Sequence, residues 1–372
     1  MNIFYIITHS IEPYNLNSLQ FSKYDAYPHL YCKIAKEYGH NSILAYLSLS
    51  DRKKTFLNHK YGYHMISYPV TFNKGYFGYE VSKQLLEDVI RCEADIIHVH
   101  SYYLLMYDLI GLAKKINKKH LIAHYHGGDP NMLLPPLKVL KKMTLHMADK
   151  VITVNKTELQ ILLNYWRMPV EKVIYIPNSV DTNLFKPLTN IEKDDNTILF
   201  VGNLVSGKGI ELLISSFIKC KKIIKNLQLL IVGTGYMQNE LINKVTILGL
   251  SKDIKFLGRL NHELLSIIYN KATVTILPSE KEAFGLVITE SMACGTPVIA
   301  TVNDGSRDQI TSGVEGLLVP QGDEIALSNA ICTLISDKIT RKKMSLNARK
   351  KSINCFSWEK IGVQINDLYK SL

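Results

Sequence analysis

No apolar run in the 372-residue chain approaches the roughly 20 residues that a membrane-spanning helix needs, which excludes an integral helical membrane protein. Cysteine is scarce and unpatterned. Cys32, Cys92, Cys220, Cys294, Cys332 and Cys355 show neither C-x-x-C nor metal-ligand spacing, which excludes a zinc module or a disulfide scaffold and fits reduced, mostly buried thiols. At 47% hydrophobic and 21% charged residues, with mean hydropathy +0.02, the chain is not disordered, collagenous or coiled-coil. Met1 to Thr8 lacks a basic n-region and a small-residue cleavage site, so it reads as a strand rather than a signal peptide, and a cytoplasmic protein is expected. Acidic residues are outnumbered, 33 against 44 basic, for a net charge of +11. Nucleic acid, phospholipid headgroups and phosphorylated substrates all suit that charge. A chain rich in Lys, Ile, Asn and Tyr and poor in Trp also follows from AT-rich codon usage, so charge alone decides nothing.

What the chain does have is alternation. Short runs rich in β-branched residues alternate with helix-length amphipathic segments, the pattern of parallel sheets wrapped by helices. In the first half the expected strands are Asn2 to Thr8, Asn41 to Leu47, Ile96 to His100, His120 to His124, Lys150 to Val154 and Val173 to Ile176, with helices over Glu80 to Arg91 and Tyr103 to Ile116. The second half repeats the pattern with Thr197 to Val201, Leu227 to Val232, Ile254 to Leu257, Ala272 to Leu277, Pro297 to Thr301 and Gly316 to Val319. The expected fold is α/β: two doubly wound Rossmann-like domains, 1–186 and 187–355, facing each other across a cleft. The segment 356–372 spaces Trp358, Ile361, Ile365 and Leu368 at helical intervals and must pack its apolar stripe on a domain; the first domain is one candidate, and the sequence alone does not say which domain it is.

Three segments carry candidate chemistry. Glu282-Ala-Phe-Gly-Leu-Val-Ile-Thr-Glu290 follows a buried strand and opens a helix near Phe284 that Gly295-Thr-Pro297 closes. The first turn, Phe284, Gly285 and Leu286, then offers backbone amides to an anion, and Glu282 and Glu290 bracket it as partners for sugar and ribose hydroxyls. The second segment, Gly202-Asn-Leu-Val-Ser-Gly207-Lys208-Gly209, nearly matches a P-loop, but Gly209 replaces the Ser/Thr that would hold magnesium. Lys208 remains suited to neutralising a leaving pyrophosphate. The third is His124-Tyr-His126-Gly-Gly-Asp129, after a strand; His124 and His126 share a face, but no third metal ligand is identifiable, so no metal is assigned. The G-x-G of Gly233 and Gly235 is read as a tight turn.

These residues resemble the retaining glycosyltransferases of family four, also called glycosyl transferases group 1, with the GT-B fold. The resemblance rests on the block from Glu282 to Ala300, the Lys208-Gly209 loop, Ile176-Pro-Asn-Ser-Val-Asp181 with Phe185, Phe256-Leu-Gly258 and Gly313 to Pro320. Asp95-Ile-Ile-His-Val-His-Ser101 and His126-Gly-Gly-Asp129 extend it into the first half. It implies transfer of a hexose or N-acetylhexosamine from a nucleotide-diphosphate sugar to a glycan or lipid-linked acceptor, with retention, by a front-face mechanism and with no metal or other cofactor. It further implies that His126, Lys208 and Glu282 are catalytic. Gly202, Asn203, Lys208, Gly258, Arg259, Glu282, Phe284, Gly285, Leu286 and Glu290 bind the donor, with Gly258 and Arg259 at the base and Glu290 at the ribose. Asn203 stands where many relatives carry an arginine, the glycine-rich loop usual after the first strand is absent from Thr8 to Tyr27, and Ser179 replaces a linker glycine.

An amphipathic stretch, Asn131 to Met147, sets apolar residues beside Lys138, Lys141 and Lys142; with Lys114, Lys115, Lys118 and Lys119 it forms a candidate surface for anionic lipid, or else a plain core helix. Residues 1–186 hold 22 basic and 15 acidic side chains, most of the excess. The aromatic stretch Tyr61 to Tyr79 either walls the acceptor site or is a packed loop. The expected location is thus cytoplasmic, with peripheral membrane contact; nucleic acid is not expected and the oligomeric state is open. The rival readings are a P-loop NTPase and a non-catalytic nucleotide-sugar binding protein.

Overall fold

Both halves build open sheets whose central strands are buried on both faces, as near-continuous apolar runs require. The computed structural model describes residues 1–14, 16–22, 27–59 and 61–372, and divides the chain into two units: Met1–Ile176 with Gly362–Leu372, and Pro177–Ile361. In the first unit the strands are β1 (Asn2–Ser10), β2 (Asn41–Ser48), β3 (Thr55–Asn58), β4 (His64–Pro69), β5 (Ile96–His100), β6 (His120–His124), β7 (Lys150–Thr153) and β8 (Val173–Tyr175). Their order is β3-β4-β2-β1-β5-β6-β7-β8, parallel except for β3, which pairs antiparallel with β4. Tyr5, Ile6, Val99 and Ile122 lie wholly inside.

The second unit contains β9 (Thr197–Val201), β10 (Gln228–Val232), β11 (Ile254–Gly258), β12 (Val274–Leu277), β13 (Val298–Thr301) and β14 (Gly316–Val319), all parallel in the order β11-β10-β9-β12-β13-β14. Its core packs Phe200, Leu213, Phe217, Leu229, Ile276 and Ile331. Within each sheet the strand order reverses at the centre, between β1 and β5 in the first unit and between β9 and β12 in the second. At such a reversal the loops leaving two neighbouring carboxyl ends diverge to opposite faces and leave a crevice.

Three expectations need correction. The strands β3 and β4 were not anticipated: β3 is a four-residue edge strand with Phe56 exposed, and β4 mixes His, Ser and Pro with its apolar residues. The division falls at Ile176 rather than residue 186 because the turn that follows is bound to the second unit. Val180 bridges to Ser357, Arg349 donates to the carbonyls of Thr182 and Phe185, and Asn270 holds Lys186 and Leu188. The terminal helix Trp358–Lys370 is assigned to the first unit only from Gly362 onward. There Tyr369 Oη meets Tyr5 Oη at 2.9 Å and His98 Nδ1 at 2.7 Å, and Asn366 meets His40 at 2.9 Å.

Candidate active site

The second unit gathers its polar residues at the crevice between β9 and β12. After β9 the chain runs through the Gly202–Gly209 loop into the helix Ile210–Ile223; after β12 it runs through residues 278–285 into the helix Leu286–Ala293. The two loops are tied directly, Glu280 N donating to the Gly207 carbonyl at 2.9 Å. That tie brings Lys208 Nζ to 2.6 Å from Glu282 Oε1, an ion pair with both side chains partly exposed. Behind the second loop, Asn303 Nδ2 and Thr301 Oγ1 hold the Ser279 carbonyl, Gly305 N donates to the Glu282 carbonyl at 2.9 Å, and Gln309 holds the carbonyl of Phe284. Glu282 is therefore aimed by a buttressed backbone.

The helix begins at Leu286, two residues later than expected, with Gly285 as its N-cap at φ 91°. Phe284 is thus a buried anchor, packed edge-on to Phe356 with ring centroids 5.9 Å apart, rather than a first-turn residue. The amides at the helix mouth are those of Leu286 and Val287, which have no acceptor within the helix itself. Glu290 lies about one turn into the helix. Tyr269, from the helix His262–Lys271, donates to Glu290 Oε2 at 2.9 Å; burial pushes the Glu290 carboxyl up, opposed by His262 and by the tyrosine.

Gly209 settles the resemblance to a P-loop. It sits at φ 68°, and a Cβ there would meet the Pro278 carbonyl oxygen at 2.0 Å, so no hydroxyl-bearing side chain fits where magnesium would need one. The Gly233-Thr-Gly235 turn is likewise a packing device: a Cβ on Gly233 would lie 1.9 Å from the Gly202 carbonyl, and Leu204 N donates to the Thr234 carbonyl at 2.9 Å. Gly258 ends β11 and accepts from Gly233 N at 2.8 Å, while Asn203 and Arg259 are exposed on neighbouring loops.

His126 lies in the first unit, past the carboxyl end of β6. Its Nε2 is 2.8 Å from His100 Nδ1, and His98 Nε2 is 3.0 Å from His124 Nδ1, so four imidazoles link β5 to β6. Burial, followed by mutual repulsion among the rings, holds His98, His124 and His126 well below the ordinary histidine value; burial and His9 push His100 down to about 3. Among the described residues, His98, His100 and His124 are the group whose ligand atoms come closest to metal spacing, within 4.8 Å of one another. Their rings stack instead of converging: His98 and His100 are 4° from parallel, and the His98–His124 hydrogen bond occupies nitrogens a metal would need. The geometry is that of a neutral core network. His126 also borders a cavity of about 470 Å³ lined by His9, Phe77, Tyr103, Asp129, Met132 and Leu137 among others. A second hollow, about 590 Å³, lies by Asn2, Asn41 and His64 at the amino ends of the strands, away from these loops.

Residues 181–351 match the model of the glycosyl transferases group 1, and residues 35–184 that of glycosyltransferase family 4. The chain belongs to the group 1 glycosyltransferases. An uncharacterized glycosyltransferase of Methanocaldococcus jannaschii is 29% identical over 298 residues, 74% of this chain and 75% of that one. A phosphatidyl-myo-inositol mannosyltransferase of Mycobacterium leprae is 26% identical over 285 residues, 75% of this chain and 74% of that one. Among solved structures, HepE of Anabaena in complex with UDP matches with TM-score 0.79 at 21% identity over 100% of both chains. Sucrose-phosphate synthase of Thermosynechococcus elongatus matches with 0.78 at 23% identity over 100% of this chain and 99% of that one. The fold is accordingly GT-B, two parallel-sheet α/β domains.

Of the glycosyltransferase's expected site residues, those from Gly202 to Glu290 collect on the loops after β9, β11 and β12 and on the helix that follows β12. His126 belongs to the other unit. Sequence reasoning missed Tyr269, which no local pattern links to Glu290. Lys141 leaves the basic surface: it is 1% exposed and pairs with buried Asp108 at 2.8 Å.

Proposed function

We propose that the protein is a retaining, metal-independent glycosyltransferase that moves a hexose or N-acetylhexosamine from a nucleotide-diphosphate sugar to a glycan or lipid-linked acceptor. The observation that carries this reading is the Lys208–Glu282 pair, held at the β9/β12 crevice beside the mouth of the helix Leu286–Ala293. A single ammonium next to unpaired helix amides is a site for a diphosphate, and the carboxylates on either side match hydroxyl-bearing groups. HepE, a structural neighbour, has been solved with UDP and with UDP-glucose, which supports a nucleotide sugar as donor.

In this reading the bond between the sugar's anomeric carbon and the diphosphate oxygen breaks, and its electron pair leaves on the diphosphate. Lys208 and the amides of Leu286 and Val287 stabilise that charge as it develops. The acceptor oxygen bonds to the same face of the carbon, and its proton passes to the departing phosphate. Glu282 orients the donor sugar, His126 hydrogen-bonds it near the reacting carbon, Glu290 holds the ribose, and Gly258 with Arg259 meets the base. The acceptor binds the first unit, in the cavity beside His126. The exposed Met132, Leu134, Val139 and Met143, next to Lys138 and Lys142, supply a surface for anionic lipid at the cytoplasmic face of a membrane.

The test is binding and hydrolysis of UDP-, GDP- and ADP-sugars with a chelator present. One donor class is expected to bind and turn over. Lys208→Ala should lower turnover about 100-fold or more, the scale of losing one oriented charge stabiliser, and Glu282→Gln should weaken donor use. Binding of no donor, or hydrolysis strictly dependent on added magnesium, overturns the reading.

A further inference from the structure

The helix Lys338–Lys351, with the sequence KITRKKMSLNARKK, holds seven basic residues and no acidic one. Four of the seven are committed within the second unit. Lys338 pairs with Asp195 at 2.6 Å, and Lys351 with Glu315 at 3.2 Å. Buried Arg341 donates to the carbonyls of Leu334 and Ile335 at 2.7 and 2.8 Å, and Arg349 to those of Phe185 and Ala293 at 2.9 and 2.8 Å. Lys342, Lys343 and Lys350 remain, all exposed and with no acidic partner among the described residues. At about 3.6 residues per turn, these three and Leu346 fall on the same side of the helix as Ile339, and the buried Arg341, Met344 and Ala348 fall on the opposite side. Ile339 is 86% and Leu346 67% exposed, and they stand two turns, about 10 Å, apart. The outward stripe of the helix is thus three lysines set around two aliphatic side chains, on a helix fixed by its other face.

We propose that this stripe is a contact for the surface of an anionic lipid bilayer: the lysines pair with headgroup phosphates, and Ile339 and Leu346 enter the headgroup layer. It belongs to the second unit, is distinct from the Met132 to Met143 surface of the first, and does not rest on the glycosyltransferase reading.

Charge and side-chain type select this partner. A second copy of the chain is disfavoured, because a symmetric contact sets the three lysines against their own counterparts. Single-stranded nucleic acid is gripped by aromatic rings and arginine planes, and the stripe offers neither. Aliphatic side chains flanked by lysines are what an interfacial surface requires, since the lysine stems lie along apolar groups while the ammonium ends stay at the phosphates. Each lysine at such a surface is worth about fivefold in binding, and salt screens the attraction over about 8 Å.

The whole protein is sedimented with phosphatidylcholine vesicles and with vesicles that also contain phosphatidylglycerol. Wild type should bind the mixed vesicles and not the neutral ones, and more weakly as salt rises. Lys342→Gln/Lys343→Gln/Lys350→Gln should bind about 100-fold more weakly, the product of three lysines, and the loss should persist when Lys138→Gln and Lys142→Gln are added. The replaced side chains are exposed, so the variants should keep the wild-type circular dichroism. Leu346→Trp localises the contact: Trp166 and Trp358, the chain's own tryptophans, are buried, so an indole at position 346 reports this face. Its emission should shift to the blue, and be quenched by brominated lipid, with the mixed vesicles alone. No binding by wild type, equal binding by the triple lysine variant, or an unshifted emission from Leu346→Trp while the protein sediments with the vesicles overturns the proposal. So does binding of polyglutamate or single-stranded DNA in place of the vesicles.

Discussion

Lys208 and Gly209 are neighbours with opposite requirements: the lysine must reach outward to a charge, and the glycine must have no side chain at all. The letters of Gly202 to Gly209 are legible as an anion loop, and the absence of Ser/Thr at position 209 already argues against a magnesium-dependent triphosphatase. Why glycine stands there is not legible, because the obstacle is the carbonyl of Pro278, on another loop. Gly209→Ser should therefore confer no magnesium-dependent ATP or GTP hydrolysis. It should cost about 1–3 kcal/mol for the left-handed backbone alone, with the clash against Pro278 added, a loss readable in urea unfolding. A stable Gly209→Ser variant that hydrolyses ATP would refute this account of the loop. The Glu290–Tyr269 bond shows the same limit: the carboxylate could be picked out, but its partner comes from a helix that only the fold brings near.

Elements were legible where burial is uniform and illegible where it is mixed. The expected strands of both sheets are observed because each is a short, mostly apolar run; β3 and β4 escaped because one is a half-exposed edge and the other carries polar residues on a buried path. The stretch Asn131 to Met147 is a helix from Pro135, and its lysines divide: Lys142 is exposed, whereas Lys141 is spent inside on Asp108. The pairing of β5 with β6 has a further consequence. His98, His100, His124 and His126 are held neutral by burial, below the value of about 6.5 they have when unfolded. Below that pH the unfolded chain binds protons that the folded chain refuses, so their stabilising contribution is complete above about 6.5 and is lost as the pH falls. Each group contributes up to about 1.4 kcal/mol per pH unit in that window. Thermal unfolding between pH 7.5 and 5 should show a falling midpoint, with a shallower fall in His124→Gln; a midpoint independent of pH would contradict the neutral network.

At the scale of the whole molecule, an unexplained net charge of +11 and two halves of similar pattern become a GT-B protein with polar residues gathered at the strand-order reversal between β1 and β5 and at that between β9 and β12. The proposed reading assigns two basic residues to the donor, Lys208 and Arg259; Lys141 is internal, and Lys114 is half-buried in its pair with Asp149. The surface that remains for anionic lipid is narrower than the lysine count implies. No helix among the described residues is long and apolar enough to cross a membrane. In the proposed reaction the diphosphate departs with its charge stabilised and the anomeric configuration is retained, so the configuration of the first product is the decisive measurement. With an α-linked nucleotide sugar and a chelator present, proton NMR of the nascent product should show the α anomer, formed by wild type and strongly reduced in Lys208→Ala. A β product, or equal rates in the two proteins, would contradict the account.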